Sequence, residues 1–181
     1  MQIDAKMEDT PHLPDDAKRK ELEVFAALKE AGVDFEYQKQ IPLAGGASND
    51  YATLDFLIRK PWGVIVLEID EFQHRLPAYA HCDLRRDFTV LSSSSLGKQV
   101  VLRYNPDAFT VDGQMATVEK PARLKALVEL ICAWDNNPAP DLLFARFFLF
   151  YDQTAESELP CVADEWPNDM VRRMTRVVRV P

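Results

Sequence analysis

The chain lacks the features of disulfide-rich, zinc-binding and membrane-spanning proteins. Its three cysteines are widely spaced and form no CxxC pair, so neither a disulfide framework nor a structural zinc site is indicated. Its apolar runs are far shorter than the roughly 20 residues that cross a bilayer. Residues 1–20 are too polar for a secretory signal. We therefore expect an intracellular protein, cytoplasmic or nuclear, that is neither secreted nor membrane-bound.

Positive charge is also scarce, because 21 Lys and Arg residues stand against 29 Asp and Glu residues, for a net charge of −8. Taken alone, this argues against a nucleic-acid binder, whose affinity depends largely on basic side chains at phosphates. The objection is weaker for a metal-dependent enzyme, since bound cations reverse the sign of the charge locally. The basic residues are clustered at Lys18-Arg19-Lys20, Arg85-Arg86, and Arg172, Arg173, Arg176 and Arg179.

Hydrophobic residues make up 47% of 181 residues, which is enough for one real core. We predict a flexible leader over 1–13 and a single domain over 14–181. Periodicity and turn residues predict the order α-β-β-β-α-β-α-β-α, typical of an α/β sandwich around a mixed sheet. The predicted helices are 15–31, 82–91, 121–134 and 168–178, and the predicted strands are 35–41, 51–58, 64–70, 99–104 and 144–151.

Acidic residues stand at the ends of segments that otherwise have the composition of buried strands. Asp55 interrupts an apolar strand, and period-two alternation predicts Leu54 and Phe56 on the face opposite to it. Glu68 and Asp70 end an aliphatic strand and share one face by the same rule. Burying a carboxylate is unfavourable unless a positive group receives it. Acids that converge on one sheet edge therefore suggest a divalent-metal site.

Phosphodiester hydrolysis is the chemistry that fits such a site. It needs a nucleophilic water, charge neutralisation on the phosphate and a proton for the leaving oxygen. Asp55 and Glu68 can hold Mg²⁺ or Mn²⁺ through oxygen, and Glu21 can reach the ion if its helix packs across this edge. His74 can act as general acid or base, since imidazole titrates near neutrality, and Gln73 can orient a water or a phosphate oxygen.

Six motifs follow one another in a distinctive order. They are a helix with Glu21, strands with Tyr37-Gln38-Lys39-Gln40 and Asp55-Phe56, the run Glu68-Ile69-Asp70-Glu71-Phe72-Gln73-His74, a helix with Asp83-Leu84-Arg85-Arg86, and a strand with Val101-Leu102-Arg103-Tyr104. Together they resemble the PD-(D/E)XK nuclease superfamily, most closely its very-short-patch-repair (Vsr)-like branch with the EDxHD homing endonucleases. The resemblance covers 15–135 and leaves 136–181 as a C-terminal extension. Glu71 replaces the usual glycine and Asp70 the superfamily lysine, although the Vsr-like branch typically uses histidine instead.

The resemblance implies a restriction-endonuclease-like α/β/α sandwich with a central mixed β-sheet. It also implies a metal-dependent endonuclease of homing, restriction or repair type, and we expect DNA as its substrate. The cofactor would be Mg²⁺ or Mn²⁺, and a homodimer is one way to span both strands. The implied catalytic residues are Asp55, Glu68, Asp70, Gln73, His74 and Glu21, the metal ligands Asp55, Glu68 and Glu21, and the substrate-binding residues Arg86 and Arg103.

Three alternatives stay open. Glu68 and Asp70 can form structural ion pairs with Arg85, Arg86 or Arg103, a role that suits Asp70 better than Glu68. The acidic charge and the missing lysine fit a nuclease-fold module that binds or regulates without cleaving. An RNA-processing nuclease is the third alternative, because the sequence contains no motif that distinguishes RNA from DNA.

Overall fold

A computed structural model of the chain describes residues 19–42, 51–71, 87 and 96–152, and the backbone of 175–178. Over these residues the chain is an α/β protein with a mixed sheet, which confirms the predicted class. No helix in the described ranges has the length and apolar character needed to cross a membrane. The helices are α1 (Arg19–Glu30) and α2 (Lys120–Ala133), and the strands are β1 (Glu36–Pro42), β2 (Tyr51–Lys60), β3 (Gly63–Ile69), β4 (Gln99–Tyr104), β5 (Thr110–Val111), β6 (Gln114–Met115), β7 (Phe144–Leu149) and β8 (Thr175–Val178).

Six strands form one sheet in the order β1-β2-β3-β4-β7-β8. β1, β2 and β3 are an antiparallel meander, whereas β3, β4, β7 and β8 run parallel. Parallel neighbours need a crossover connection, and α2 lies in the crossover from β4 to β7. The register places Ile69, Tyr104 and Leu149 side by side, so β3, β4 and β7 end at one edge of the sheet.

The central strands are buried on both faces, which explains their nearly continuous apolar sequences. In β3, Ile65 and Leu67 pack in a cluster that includes residues of α1 and α2, and we call this the helix-covered face. Val64 and Val66 pack in a separate cluster on the opposite side, which we call the second face. Asp87 is helical, but the rest of the predicted helix 82–91 lies outside the described residues.

The predicted basic helix over 168–178 is wrong at its end, because Thr175–Val178 pairs with β7 as a parallel strand. Threonine and valine favour strands, which agrees with this pairing. The β5–β6 hairpin was not predicted. Its turn residues Asp112 and Gly113 have φ of 49° and 77°, the left-handed pair that a type I′ turn requires. The predicted leader and the residues before Arg19 lie outside the described residues.

The tight turn between β2 and β3 requires glycine at position 63. Gly63 has a φ of +152°, and a Cβ atom there would lie 2.2 Å from the carbonyl oxygen of Lys98. That oxygen also accepts the N–H of Val64 at 2.9 Å. We predict that Gly63→Ala lowers the free energy of unfolding by about 1–3 kcal/mol, measured in urea. Gly113→Ala is the control, because Gly113 also has a positive φ, of +77°, but a Cβ atom there meets nothing within 4 Å, so this variant measures backbone strain without the contact. Equal losses would show that the Lys98 contact is unimportant.

Candidate functional site

Asp55 lies where β2 and β3 separate. The register of these strands runs from Lys60 opposite Gly63 to Phe56 opposite Leu67. Asp55, the residue before Phe56, is half-buried. Its Oδ2 accepts a hydrogen bond from the backbone N–H of Ile69 at 2.8 Å. Since Ile69 directly follows Glu68, the carboxylate of Asp55 lies against the backbone beside Glu68. Glu68 is near the end of β3, as predicted, but Asp55 lies in the middle of β2, where the pairing with β3 stops and the pairing with β1 continues, so its predicted place at a strand end is wrong.

The side chains of β1 and β2 change faces at the level of Asp55. Phe56 packs on the helix-covered face and Leu54 on the second face, so the prediction that both share one face is wrong. The neighbouring backbone explains the change, because Gln38, which falls opposite Asp55 in the register, has a φ of +49°. A left-handed glutamine costs on the order of 1–3 kcal/mol, and such strain is concentrated at functional sites.

Glu21 lies in the first turn of α1 and shares its buried face with Leu28. Glu21 is 8% exposed, and its carboxylate accepts hydrogen bonds from Nε2 of Gln38 and from the hydroxyl of Tyr37. Both donors belong to β1, the strand paired with the one that carries Asp55. The helix therefore packs across this end of the meander, but the predicted ligands Glu21, Asp55 and Glu68 do not form a group of three close enough to hold one metal ion.

Tyr37 connects the two acids electrostatically. Burial raises the pKa of Tyr37 to about 12, with further contributions from the charge of Glu21, the hydrogen bond to Glu21 and the charge of Asp55. One hydroxyl therefore responds to both carboxylates. Sequence reasoning did not assign Tyr37 or Gln38 to the site, and noted them only as part of a strand motif.

Glu68 is 4% exposed, near the end of β3, and its register partner in β4 is Arg103. Its neighbours Val66 and Val64 place it on the second face. Asp70 follows on the same face and is 2% exposed. Both acids are therefore beside Arg103, a buried cation of the kind that a buried carboxylate needs.

A buried network of two arginines and two aspartates lies at this edge. Arg103 donates from Nε to Asp70 Oδ2, from Nη2 to Asp70 Oδ1 at 2.8 Å, and from Nη1 to Asp87 Oδ1 at 3.2 Å. Arg146 of β7 has its Nε 2.8 Å from Asp87 Oδ2. The hydroxyl of Tyr151 donates to Asp70 Oδ2. Pairing of opposite charges is what makes four buried ionised groups tolerable.

Asp70 thus forms a structural ion pair with Arg103, which is the alternative role that the sequence analysis left open for it. Arg103 is 1% exposed and turned towards two carboxylates. Desolvation lowers its pKa, but the charges of Asp70 and Asp87 outweigh this effect and hold the pKa above its ordinary value. Arg103 therefore stays a cation. Its predicted substrate contact stays a prediction, and would require it to leave these partners.

Gln73, His74 and Arg86 lie outside the described residues. Within the described part of the chain, no three His, Cys, Asp or Glu side chains lie close enough to hold a metal ion. Asp55 and Glu68 nevertheless fit a hard cation by chemistry, because both offer carboxylate oxygens. Mg²⁺ commonly takes only one or two protein carboxylates and keeps several waters.

Asp87, Arg146 and Tyr151 were missed by sequence reasoning. Arg146 offered the available signal, because an arginine inside the aromatic strand Phe144–Leu149 needs an acidic partner when it is buried. Nothing in the local sequence says that this partner is Asp87. The pair depends on the long-range packing of β7 beside β4.

Tyr104, at the end of β4, is fully buried, and its hydroxyl has no hydrogen-bond partner among the described residues. Burial raises its pKa from 10.0 to about 12. Between pH 10 and about 12, the Tyr104 hydroxyl therefore keeps its proton in the folded protein and releases it in the unfolded chain. We predict that the free energy of unfolding falls as pH rises from 10 to about 12, with the stabilisation fully present below pH 10. Urea unfolding across this range should show a smaller fall for Tyr104→Phe. An identical fall in both proteins would contradict the assignment.

Comparison of the chain with protein-family models, with curated proteins and with solved structures finds no match. Fold and site geometry are therefore the observations from which a function can be inferred.

Proposed function

We propose that this protein is a divalent-metal-dependent nuclease of the PD-(D/E)XK superfamily and that DNA is its substrate. The position of Asp55 is the observation that carries the proposal. Its carboxylate lies where β2 and β3 separate and is bound to the residue that follows Glu68. A half-buried acid within β2, next to the end of β3 that carries the buried Glu68, is costly to the fold, and a bound cation would compensate that cost.

The topology supports the proposal. A helix, an antiparallel meander of three strands and a parallel fourth strand beside the third follow in the order of the sequence motifs. An α/β/α sandwich also needs a helical layer on the second face. Asp87 is helical and bound to Arg103 and Arg146, whose strand positions place them on that face.

The proposed chemistry assigns one role to each part of the site. Asp55 and Glu68 would hold Mg²⁺ or Mn²⁺, which when bound neutralises phosphate charge and acidifies water. Glu21, fixed by Tyr37 and Gln38, adds negative charge near Asp55. The segment after β3 supplies the residues proposed for proton transfer and for orienting a water or phosphate oxygen, His74 and Gln73.

A nuclease-fold module that binds without cleaving is the second candidate. Asp70 stands where the superfamily has its lysine, and it is engaged by Arg103 and Tyr151. At the position of the superfamily's catalytic lysine, this protein therefore has an aspartate that is held in a structural network. This candidate predicts nucleic-acid binding that no metal converts into cleavage.

Incubation with supercoiled plasmid, single-stranded DNA and RNA tests the proposal. We expect nicked or linear plasmid with Mg²⁺ or Mn²⁺, and intact plasmid with EDTA. Binding to a short duplex in Ca²⁺ should weaken as salt rises, because the contacts are with phosphates. Cleavage of RNA but not of DNA would show that the protein is an RNA-processing nuclease. Tight, salt-insensitive binding in EDTA without cleavage would favour the second candidate.

A further inference from the structure

We infer that Tyr151 and Arg103 are positioning residues of the proposed metal site, because together they fix Asp70, two residues after Glu68. The inference rests on the proposed function. It gives a role to β7 and Tyr151, which belong to the extension outside the family resemblance. Neither residue needs to contact the substrate or the ion.

Asp70 is held from three directions. Its backbone N–H donates to the carbonyl of Tyr104 at 2.9 Å, which extends the contact between β3 and β4 by one residue. Its side chain accepts from two nitrogens of Arg103 and from the hydroxyl of Tyr151. Asp70 is 2% exposed, so water cannot easily replace a hydrogen-bond partner that is lost.

The position of Asp70 controls the end of β3. Only Ile69 separates it from Glu68, a distance of roughly 7 Å along an extended strand. Ile69 is also the residue whose N–H binds Asp55. A shift of Asp70 would therefore displace both the buried carboxylate of Glu68 and the backbone group that orients Asp55.

The backbone just before Tyr151 is specialised for this contact. Phe148 lies on the second face by its position two residues after Arg146, and regular alternation would place Phe150 there as well. Phe150 instead packs on the helix-covered face and has a φ of +63°, a strained value for a bulky residue. The next side chain, Tyr151, consequently packs edge-on against Phe148, with 4.9 Å between ring centroids. The strained residue thus turns the Tyr151 hydroxyl towards Asp70.

Tyr151→Phe removes only this hydroxyl, and Tyr104→Phe is the matched control. Both tyrosines are buried, but the Tyr104 hydroxyl has no partner among the described residues. Loss of a residue that orients a metal ligand typically costs roughly 10–100-fold in metal affinity or activity. We expect a loss of that size for Tyr151→Phe in Mn²⁺ affinity, measured by calorimetry, or in kcat with KM unchanged. Tyr104→Phe should match the wild type.

Arg103→Lys keeps the charge but loses the bidentate contact with Asp70, so we expect it to reproduce the defect rather than rescue it. Amide hydrogen exchange at Ile69 and Asp70 is a readout that needs no activity, and it should be faster in Tyr151→Phe. A Tyr151→Phe protein with altered melting but wild-type Mn²⁺ affinity, kcat and exchange would overturn the inference. A wild-type protein that neither binds Mn²⁺ nor cleaves would overturn the nuclease proposal, and the inference with it.

Discussion

Asp55→Asn is expected to abolish metal-dependent cleavage and to weaken Mn²⁺ binding sharply. Asparagine has the same size, and its amide oxygen can still accept the N–H of Ile69. The substitution therefore removes the negative charge that a hard cation requires while leaving the local backbone contact in place. A metal ion contributes several kcal/mol to transition-state stabilisation. Because about 1.4 kcal/mol corresponds to tenfold, we expect a rate loss of roughly 10²–10³-fold or more.

Asp135→Asn is the control for this prediction. It removes the same charge, but from a side chain that is 79% exposed and pairs with Lys60 at 2.8 Å. We expect it to bind Mn²⁺ and cleave plasmid like the wild type. Calorimetric titration of the three proteins checks the assignment, and equal Mn²⁺ affinity in Asp55→Asn and wild type would remove Asp55 from the site.

Arg103→Met is expected to have the largest effect on stability. Methionine fills much of the same space but leaves Asp70 without its bidentate partner and Asp87 without one of its two arginines. Removing one partner of a buried ion pair costs about 3–5 kcal/mol, because the remaining charge stays buried. Urea unfolding at neutral pH should show a loss of this size in the free energy of unfolding.

The comparison variant is Arg59→Met. Arg59 also pairs with a carboxylate, Glu36, at 2.8 Å, but its side chain is 63% exposed. Exposed pairs contribute only about 0–1 kcal/mol, since water screens them. Equal losses in Arg103→Met and Arg59→Met would mean that burial of the network does not determine its contribution.

The interior of the sheet was predictable from sequence because its physical signal is local. β4 was predicted over the residues that form it, Gln99–Tyr104, since a strand buried on both faces needs a continuous apolar run. Helical spacing puts Glu21 on the same face as Leu28, seven residues later, and this is the face of α1 that is buried. Asp55 was identified because an acid inside an apolar strand is uncommon.

The parts that sequence reasoning missed depend on backbone exceptions and long-range packing. No glycine marks the left-handed positions Gln38 and Phe150, so period-two alternation assigned the wrong face to Leu54. Two residues of the network, Asp87 and Arg146, are far apart in sequence and meet only after β7 pairs with β4. Local patterns contain no information on such pairs.

Arg103 binds both Asp70 and Asp87, so one guanidinium joins the two ends of the chain that runs from 71 to 86. In polymer terms, the separation of these two ends is fixed by the sheet. For a flexible chain, doubling the length between two fixed ends costs only about 0.6 kcal/mol in closure entropy. A flexible insertion between the two ends therefore costs the sheet little, whereas an insertion within β2 or β3 shifts a register in which every side chain has an assigned face. In the proposed nuclease, the chain between these two aspartates can therefore change length at little cost to the sheet that supports the site.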